Sequence, residues 1–157
     1  MSFEFERIII FWINRLSFLT RKELQQQFAA HGENVTPEEW ALLLQLWLRD
    51  GQTAGELADN TIRDRSTVTR LLDGMVRKEI VHREPGPKDR RKVCIWLSAK
   101  GKQMEDRLVP IAREFITDAL AGIPEADVET SIRTMQKMQE NLIGNEKNAT
   151  QAHTKVK

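Results

Sequence analysis

The sequence has few of the residues that define disulfide-rich or metal-binding proteins. It contains a single cysteine, Cys94, which cannot form an internal disulfide bond. Its three histidines, His31, His82 and His153, do not show the spacing of metal ligands, so we expect no structural zinc site and no metal cofactor. A core of packed apolar side chains is therefore expected to stabilise the fold.

Long apolar segments and the common enzyme motifs are also absent from the sequence. The longest apolar run, IIIFWI at residues 8–13, is far shorter than the roughly 18 residues that a membrane-spanning helix needs. Glu4 and Glu6 lie where a signal peptide would carry positive charge, and we therefore expect a cytoplasmic protein without a membrane partner. There is no glycine-rich phosphate loop, no G-x-S-x-G and no H-E-x-x-H motif, so an enzyme is not expected.

What the sequence does contain is a globular composition with an uneven distribution of charge. Of the 157 residues, 40% are hydrophobic and 30% are charged, and the net charge is only +1. Residues 1–60 contain five basic and nine acidic side chains, whereas residues 61–102 contain twelve basic and five acidic ones, a net charge of +7. This concentration is typical of a surface that binds a polyanion, so nucleic acid is the leading partner, with a merely solvated charged surface as the alternative.

The pattern of apolar and capping residues predicts a mainly helical protein. Residues 3–30 contain no proline or glycine and predict one long helix, with a short buried strand as the alternative at residues 8–13. The tetrapeptides TPEE at residues 36–39 and TAGE at residues 53–56 are capping boxes, each of which begins a helix. Gly51 is expected to form the left-handed cap at the end of the first of these helices.

A third helix and a basic hairpin follow. Residues 64–78 place apolar side chains at i, i+3, i+4, i+7 and i+8, which leaves the opposite face polar. Short strands at residues 81–84 and 93–97 flank the sequence PGPKDRRK, so that four basic side chains lie near the tip of a hairpin. Two further amphipathic helices, over residues 98–122 and from residue 124, complete the pattern. A helix, a turn, an amphipathic helix and a basic hairpin are the layout of a winged helix-turn-helix, which binds duplex DNA.

Two segments of the sequence carry the signature of a known family. The segment DRRKVCIWLSAKG at residues 89–101 matches the pattern D-x-R followed by L-S/T-x-x-G, and DRSTVTRLLD at residues 64–73 is similar to the recognition helix of the same family. Both resemble the MarR (multiple antibiotic resistance regulator) family, and the order of elements agrees over residues 5–143. The resemblance implies a mainly α fold, in which a winged helix-turn-helix lobe carries a two- to three-stranded β-wing.

The resemblance also implies how the chain is divided and what it does. Residues 1–34 would form an N-terminal dimerisation helix, residues 35–97 the DNA-binding lobe, residues 98–143 the C-terminal dimerisation helices and residues 144–157 a flexible tail. The implied function is that of a transcriptional regulator, a repressor that binds a pseudo-palindromic operator in double-stranded DNA as a homodimer. A dimer agrees with the apolar run at residues 8–13, which needs covering on all sides. A non-enzymatic winged-helix adaptor for a protein partner is the alternative.

Candidate site residues follow from the charge pattern and the resemblance together. The resemblance implies that Asp89 pairs with Arg91 and that Arg91, or alternatively Arg90, enters the minor groove. It also implies a small lipophilic or anionic aromatic effector. The candidate DNA-binding residues are Arg63, Arg65, Ser66, Thr67, Thr69, Arg70, Arg77, Lys88, Asp89, Arg90, Arg91 and Lys92. The candidate effector-pocket residues, which core and dimer packing would explain equally well, are Trp12, Arg15, Phe18, Trp40 and Trp47.

Two further residues, Glu79 and Cys94, each allow two interpretations. Most members of the family have glycine near the end of the recognition helix, whereas this chain has Glu79. A left-handed glutamate there costs about 1 kcal/mol, so the helix is expected either to carry this strain or to end differently. Cys94 lies in a predicted strand, where alternation favours a buried core position over a redox sensor.

Overall fold

The computed structural model describes the backbone of residues 4–154 and the side chains of residues 4–144. Within the described backbone, six α-helices and three short strands follow a 3-10 turn at Phe5–Arg7. In chain order the elements are α1 (Ile9–Ala30), α2 (Pro37–Leu48), β1 (Gln52–Thr53), α3 (Ala54–Thr61), α4 (Arg65–Arg77), β2 (Val81–Pro85), β3 (Val93–Leu97), α5 (Ala99–Ala119) and α6 (Glu125–Thr154). The mainly helical fold with a small wing is confirmed.

Side chains cap the N-terminal ends of α2, α3 and α5. Thr36 Oγ1 accepts a hydrogen bond from Glu39 N while the Glu39 carboxylate accepts one from Thr36 N, and Thr53 and Glu56 repeat the arrangement at α3. Both predicted capping boxes are therefore confirmed. Ser98 caps the start of α5, because its Oγ accepts from Gly101 N at 3.0 Å.

The strands form one antiparallel sheet in the order β1-β3-β2. Strand β3 pairs with β2 in the register Val81↔Leu97 to Pro85↔Val93, which forms the predicted hairpin. The third strand, β1, lies on the other edge and pairs Gln52 with Ile95. Because β1 contains only two residues, it shows no alternating pattern of apolar side chains. The sequence pattern therefore predicts only the two strands of the hairpin.

The core lies between α2, α3, α4, the sheet and the first half of α5. The predicted apolar face of α4 is confirmed, since Val68, Leu72 and Met75 are fully buried. Cys94 is also buried, as the alternation in β3 predicts. The other large fully buried apolar side chains include Phe28, Leu42, Leu43, Leu46, Leu57, Ile80, Ile95 and Leu108.

Two predicted helix boundaries are wrong. Ile8 has an extended backbone (φ −101°, ψ 116°), so the helix expected from residue 3 begins at Ile9. Helix α2 ends at Leu48 because Arg49 is extended (φ −151°), and Gly51 serves the following turn instead of capping the helix. Gly51 has a φ of +72°, and a Cβ there would lie 2.5 Å from Cη2 of Trp96, so both the backbone and the packed indole require glycine.

The last helix is longer than the sequence predicts. The backbone of α6 is helical to Thr154, within the segment 144–157 whose flexibility stays a prediction, and residues 155–157 lie outside the described residues. No proline follows Gly144, and Glu, Lys, Ala and Gln are good helix formers, so a polar composition does not end the helix. Internal contacts divide the chain into two units, residues 1–116 and 117–157. Among the described residues, no helix is long and apolar enough to cross a membrane.

Candidate nucleic-acid interface

Helices α3 and α4 are joined by a tight turn that fixes the start of α4. Arg63 N donates to Ala58 O at 2.9 Å, and Ile62 between them has a left-handed backbone with a φ of +52°. Asp64 caps α4, because its Oδ1 accepts from Ser66 Oγ at 2.6 Å and from Thr67 N at 2.7 Å. These hydrogen bonds, with that from Ser66 the largest cause, hold the pKa of Asp64 well below its usual range, so the carboxylate stays charged beside the helix N-terminus.

The polar face of α4 is exposed over its whole length. The side chains of Arg65, Ser66, Thr69, Arg70 and Arg77 are exposed, opposite the buried apolar face. Two of the hydroxyls already donate hydrogen bonds within the turn and helix, Ser66 to Asp64 and Thr69 to Arg65 O at 2.8 Å. They therefore remain free to accept, and would need to rotate before donating to a phosphate.

The remaining candidates at the start of α4 are less exposed. Thr67 and Arg63 are half-buried, and Arg63 Nε is buried without a hydrogen-bond partner in the part of the chain that the structure describes. The Arg65 guanidinium lies across α3, where a Cβ on Gly55 would be 3.6 Å from its Cζ. This distance is ordinary van der Waals contact, so the guanidinium packs against the first turn of α3.

The wing, which consists of strands β2 and β3 and the loop of residues 86–92 between them, carries the second group of candidate residues. Lys88, Arg90, Arg91 and Lys92 are all exposed, and the loop is closed by Gly86 N, which donates to Lys92 O at 2.7 Å. Arg91 donates to Asp89 from Nε at 3.1 Å and from Nη2 at 3.3 Å, which is the pair that the family resemblance implies. Arg91 lowers the pKa of Asp89 by these hydrogen bonds. The guanidinium of Arg91 is thus held by Asp89, and yet the side chain is 91% exposed.

An ion pair that the sequence analysis missed joins the recognition helix to the wing. Arg83 Nη2 on β2 donates to Asp73 Oδ1 on α4 at 2.6 Å. Both side chains lie on polar faces that the hydrophobic periodicity identifies, but their contact joins two elements, and periodicity within one element carries no such information.

The backbone at the end of α4 shows whether Glu79 adopts the left-handed conformation. Glu79 has a φ of +57°, and its N–H donates to Val76 O while Ile80 N donates to Met75 O, both at 2.9 Å. This is a Schellman motif with glutamate in the left-handed position, and Met75 and Ile80 form its buried apolar contact. The helix therefore ends with this motif, and the chain carries the strain.

The candidate effector-pocket residues form two groups. Trp40 packs against Phe28 and Trp47, with ring centroids 5.2 and 5.5 Å apart, and Trp47 Nε1 donates to Gly101 O at 3.0 Å. Trp12, Arg15 and Phe18 are exposed near the start of α1. Since α-helices rise about 1.5 Å per residue, Trp12 lies roughly 24 Å along α1 from Phe28, which packs against Trp40.

Comparison with known proteins agrees with this architecture. The model of the MarR family matches residues 35–93. The chain is 30% identical to the HTH-type transcriptional regulator YkoM of Bacillus subtilis over 107 residues, 68% of each chain. It is 26% identical to YsmB, another HTH-type transcriptional regulator of Bacillus subtilis, over 121 residues that cover 77% of this chain and 80% of the relative.

A solved structure shows the same fold. CouR from Rhodococcus jostii RHA1, bound to p-coumaroyl-CoA, superposes with a TM-score of 0.77 at 20% identity, covering 87% of this chain and 95% of CouR. CouR bound to a 23-mer DNA duplex superposes with a TM-score of 0.74. The fold and the sequence similarity define a winged helix-turn-helix regulator. The chain belongs to the MarR family of DNA-binding transcriptional regulators.

Proposed function

We propose that this protein is a ligand-responsive repressor that binds a pseudo-palindromic operator in double-stranded DNA as a homodimer. The observation that carries the proposal is the exposed polar face of α4 together with a wing whose four basic side chains are all exposed. The major groove admits a helix such as α4, and a narrow minor groove attracts an inserted arginine. Arg91, held by Asp89, is the side chain that we assign to the minor groove.

Exposed apolar side chains support the homodimer. On α1, Ile10, Leu16, Phe18 and Leu19 are at least half exposed, and an apolar groove of about 590 Å³ lies along the start of this helix. On α6, Ile132 and Leu142 are at least half exposed. Surfaces of this kind are rare on monomeric proteins, and a second copy would cover them. We accordingly propose residues 1–34 and 98–143 as dimerisation segments, with half-sites about one helical turn apart on the operator.

Regulation by a small molecule is supported by the likeness to CouR, which was solved with p-coumaroyl-CoA. A lipophilic or anionic aromatic effector would act if it bound more tightly to a conformation that does not fit the operator. Effector and DNA would then lower each other's affinity by the same factor. Titration of salicylate-like and fatty-acid-like compounds by tryptophan fluorescence, with and without operator, tests this reciprocity.

The experiment that tests DNA binding is selection of bound duplexes from a random pool, followed by titration at several salt concentrations. We expect log affinity to fall linearly with log salt, because phosphate contacts release counterions. Arg70→Ala should cost roughly 1–3 kcal/mol if Arg70 contacts a base, and Arg91→Ala should weaken binding broadly and remove any preference for A·T-rich flanks.

Arg133→Ala is the matched control, because Arg133 is an exposed arginine on α6, outside the candidate DNA-binding residues, and sedimentation velocity checks that its oligomeric state is that of wild type. It should leave affinity unchanged. Equal affinity of wild type, Arg70→Ala and Arg91→Ala would remove the assignment of these side chains. Failure to select any duplex would favour the alternative function, an adaptor for a protein partner.

A further inference from the structure

A partly buried ion pair holds the C-terminal end of α4, the recognition helix. Lys78, the residue after α4, donates from Nζ to Glu39 Oε1 at 2.8 Å, to Glu39 Oε2 at 2.9 Å and to Asn34 O at 3.1 Å. An ammonium group has three N–H donors, so these three acceptors account for all of them. Glu39 is only 5% exposed, whereas the side chain of Lys78 is 31% exposed and reaches this carboxylate from the surface.

The Glu39 carboxylate, which accepts from Lys78, is itself held by the capping box of α2. Glu39 Oε2 accepts from Thr36 N at 3.0 Å and Glu39 N donates to Thr36 Oγ1 at 3.1 Å, which is the capping box of α2. The carboxylate thus belongs to the first turn of α2, and Lys78 ties the end of α4 to that turn. Buried ion pairs are weak evidence for stability, because desolvation offsets much of their attraction, but they can select one arrangement of the elements they join.

Other hydrogen bonds meet at the same point. Lys100 Nζ, in the first turn of α5, donates to Lys78 O at 2.7 Å, and Ser98 Oγ lies 2.7 Å from Glu79 O. The left-handed Glu79 follows immediately, and a strained backbone persists only where its surroundings hold it firmly. The start of α2, the end of α4 and the start of α5 are therefore joined at Lys78.

We propose that Lys78 is a positioning residue for DNA recognition, which sets the orientation of α4 through Glu39 and does not itself contact DNA. The inference rests on the proposed function. Its basis is that the Lys78 ammonium is saturated by protein acceptors, whereas the neighbouring Arg77 is exposed on the polar face of α4. A small rotation of α4 about this end would misplace Arg70 relative to the bases, yet leave the basic surface in place.

The test uses the double variant Glu39→Gln/Lys78→Met, because Lys78→Met alone would leave a buried carboxylate unpaired and endanger folding. Glutamine can still close the capping box. Lys78→Arg keeps the cation. Lys137→Met is the control for loss of an exposed lysine outside the candidate DNA-binding residues, since Lys137 lies on α6 and pairs with Glu140. Because α6 belongs to a proposed dimerisation segment, sedimentation velocity checks that this variant has the oligomeric state of wild type. Affinity is measured for a duplex that wild type selects from a random pool and for a scrambled duplex of the same composition, at a temperature where every variant is folded.

We expect the double variant to bind the selected duplex about 10-fold more weakly, the loss typical of one mismatched base pair, with unchanged affinity for the scrambled duplex and an unchanged salt slope. Lys78→Arg should bind the selected duplex nearly as tightly as wild type. Lys137→Met should have the same affinity as wild type. An equal loss on both duplexes, with a salt slope reduced by about one, would identify Lys78 as a phosphate contact and overturn the inference.

A change in thermal unfolding alone, without any change in affinity, would show a purely structural role and would also overturn it. Both of these outcomes leave the proposed function standing. If wild type selects no duplex at all, the proposed function fails, and this inference fails with it.

Discussion

The central lobe, residues 35–97, and the N-terminal half of α1 differ in whether their apolar side chains are buried or exposed. In α2, Leu42, Leu43 and Leu46 are fully buried within one chain, whereas on α1 Leu16 is 50% and Phe18 68% exposed. The lobe therefore completes its core with its own residues. The first half of α1 does not, and its apolar side chains need a surface that the single chain does not supply.

Local signals differ between the two regions in the same way. Helices α2 and α3 begin with complete capping boxes, and Asp64 caps α4, but Ile8, the residue before α1, provides no side-chain cap. Short-range hydrogen bonds thus define the helices that present the candidate interface. Helix α1 depends on packing of its apolar face, as most helices in proteins do.

The largest difference between the regions should appear on truncation of a leucine. Leu46→Ala creates a cavity in the filled core of the lobe and should lower the free energy of unfolding by about 2–5 kcal/mol. Leu16→Ala, the same change on exposed α1, should change it far less at protein concentrations low enough to keep the chain monomeric. Urea unfolding at low and high protein concentration measures both. Equal losses at low concentration would contradict the comparison.

A charge on the exposed face of α1 should affect association and spare the fold. Phe18→Glu would bury a carboxylate in the proposed dimer interface, at a cost of at least about 2 kcal/mol in association. Sedimentation velocity over a range of concentrations should show a wild-type dimer and a variant shifted toward monomer. Circular dichroism should show unchanged helix content. A wild-type protein that stays monomeric at micromolar concentration would contradict both this prediction and the proposed dimer.

The elements that sequence reasoning located are those set by short-range rules. The capping boxes at Thr36 and Thr53 need only residues three positions apart, and the buried face of α4 follows from helical periodicity. The pair between Asp89 and Arg91 followed from the family resemblance and spans two positions. In each case the interacting groups lie within about one turn of each other, so the sequence alone contains the signal.

The features that sequence reasoning missed join distant segments. Glu39 and Lys78 are 39 positions apart, and no local pattern links them. Trp12 and Trp40 lie far apart on one chain, and their assignment to one effector pocket stays a prediction. Strand β1 is defined by its pairing with β3 and has no periodicity of its own. Tertiary packing decides such features, and short windows of sequence do not contain it.

Relief of strain at the end of α4 should stabilise the lobe. Glu79→Gly removes the cost of a left-handed side chain and should raise the free energy of unfolding by about 1 kcal/mol. The matched control is Glu105→Gly, at an exposed position inside α5, which should lower it by about 1 kcal/mol because glycine is a poor helix former. Chemical unfolding of the two variants should therefore shift in opposite directions. Destabilisation by both would show that the Glu79 side chain contributes more than its strain costs.

The smallest expected effect is the pH dependence of the capping box at α3. The hydrogen bond from Thr53 N, followed by that from Arg49, lowers the pKa of Glu56 from about 4.5 to about 2. A carboxyl whose pKa is lower in the folded state stabilises the fold above its unfolded pKa, and this contribution is lost as the pH falls from about 4.5 to about 2.

Because the Glu56 side chain is 44% exposed, solvent screens the effect, and we expect Glu56→Gln to cost less than about 1 kcal/mol at pH 7. Glutamine preserves the capping geometry, so the comparison isolates the charge. The difference in free energy of unfolding between wild type and Glu56→Gln should shrink steadily as the pH falls from 4.5 to 2, in urea unfolding at matched ionic strength. A difference that stays constant over this range would mean that the carboxylate charge does not stabilise α3, and that the cap acts through its neutral hydrogen bonds alone.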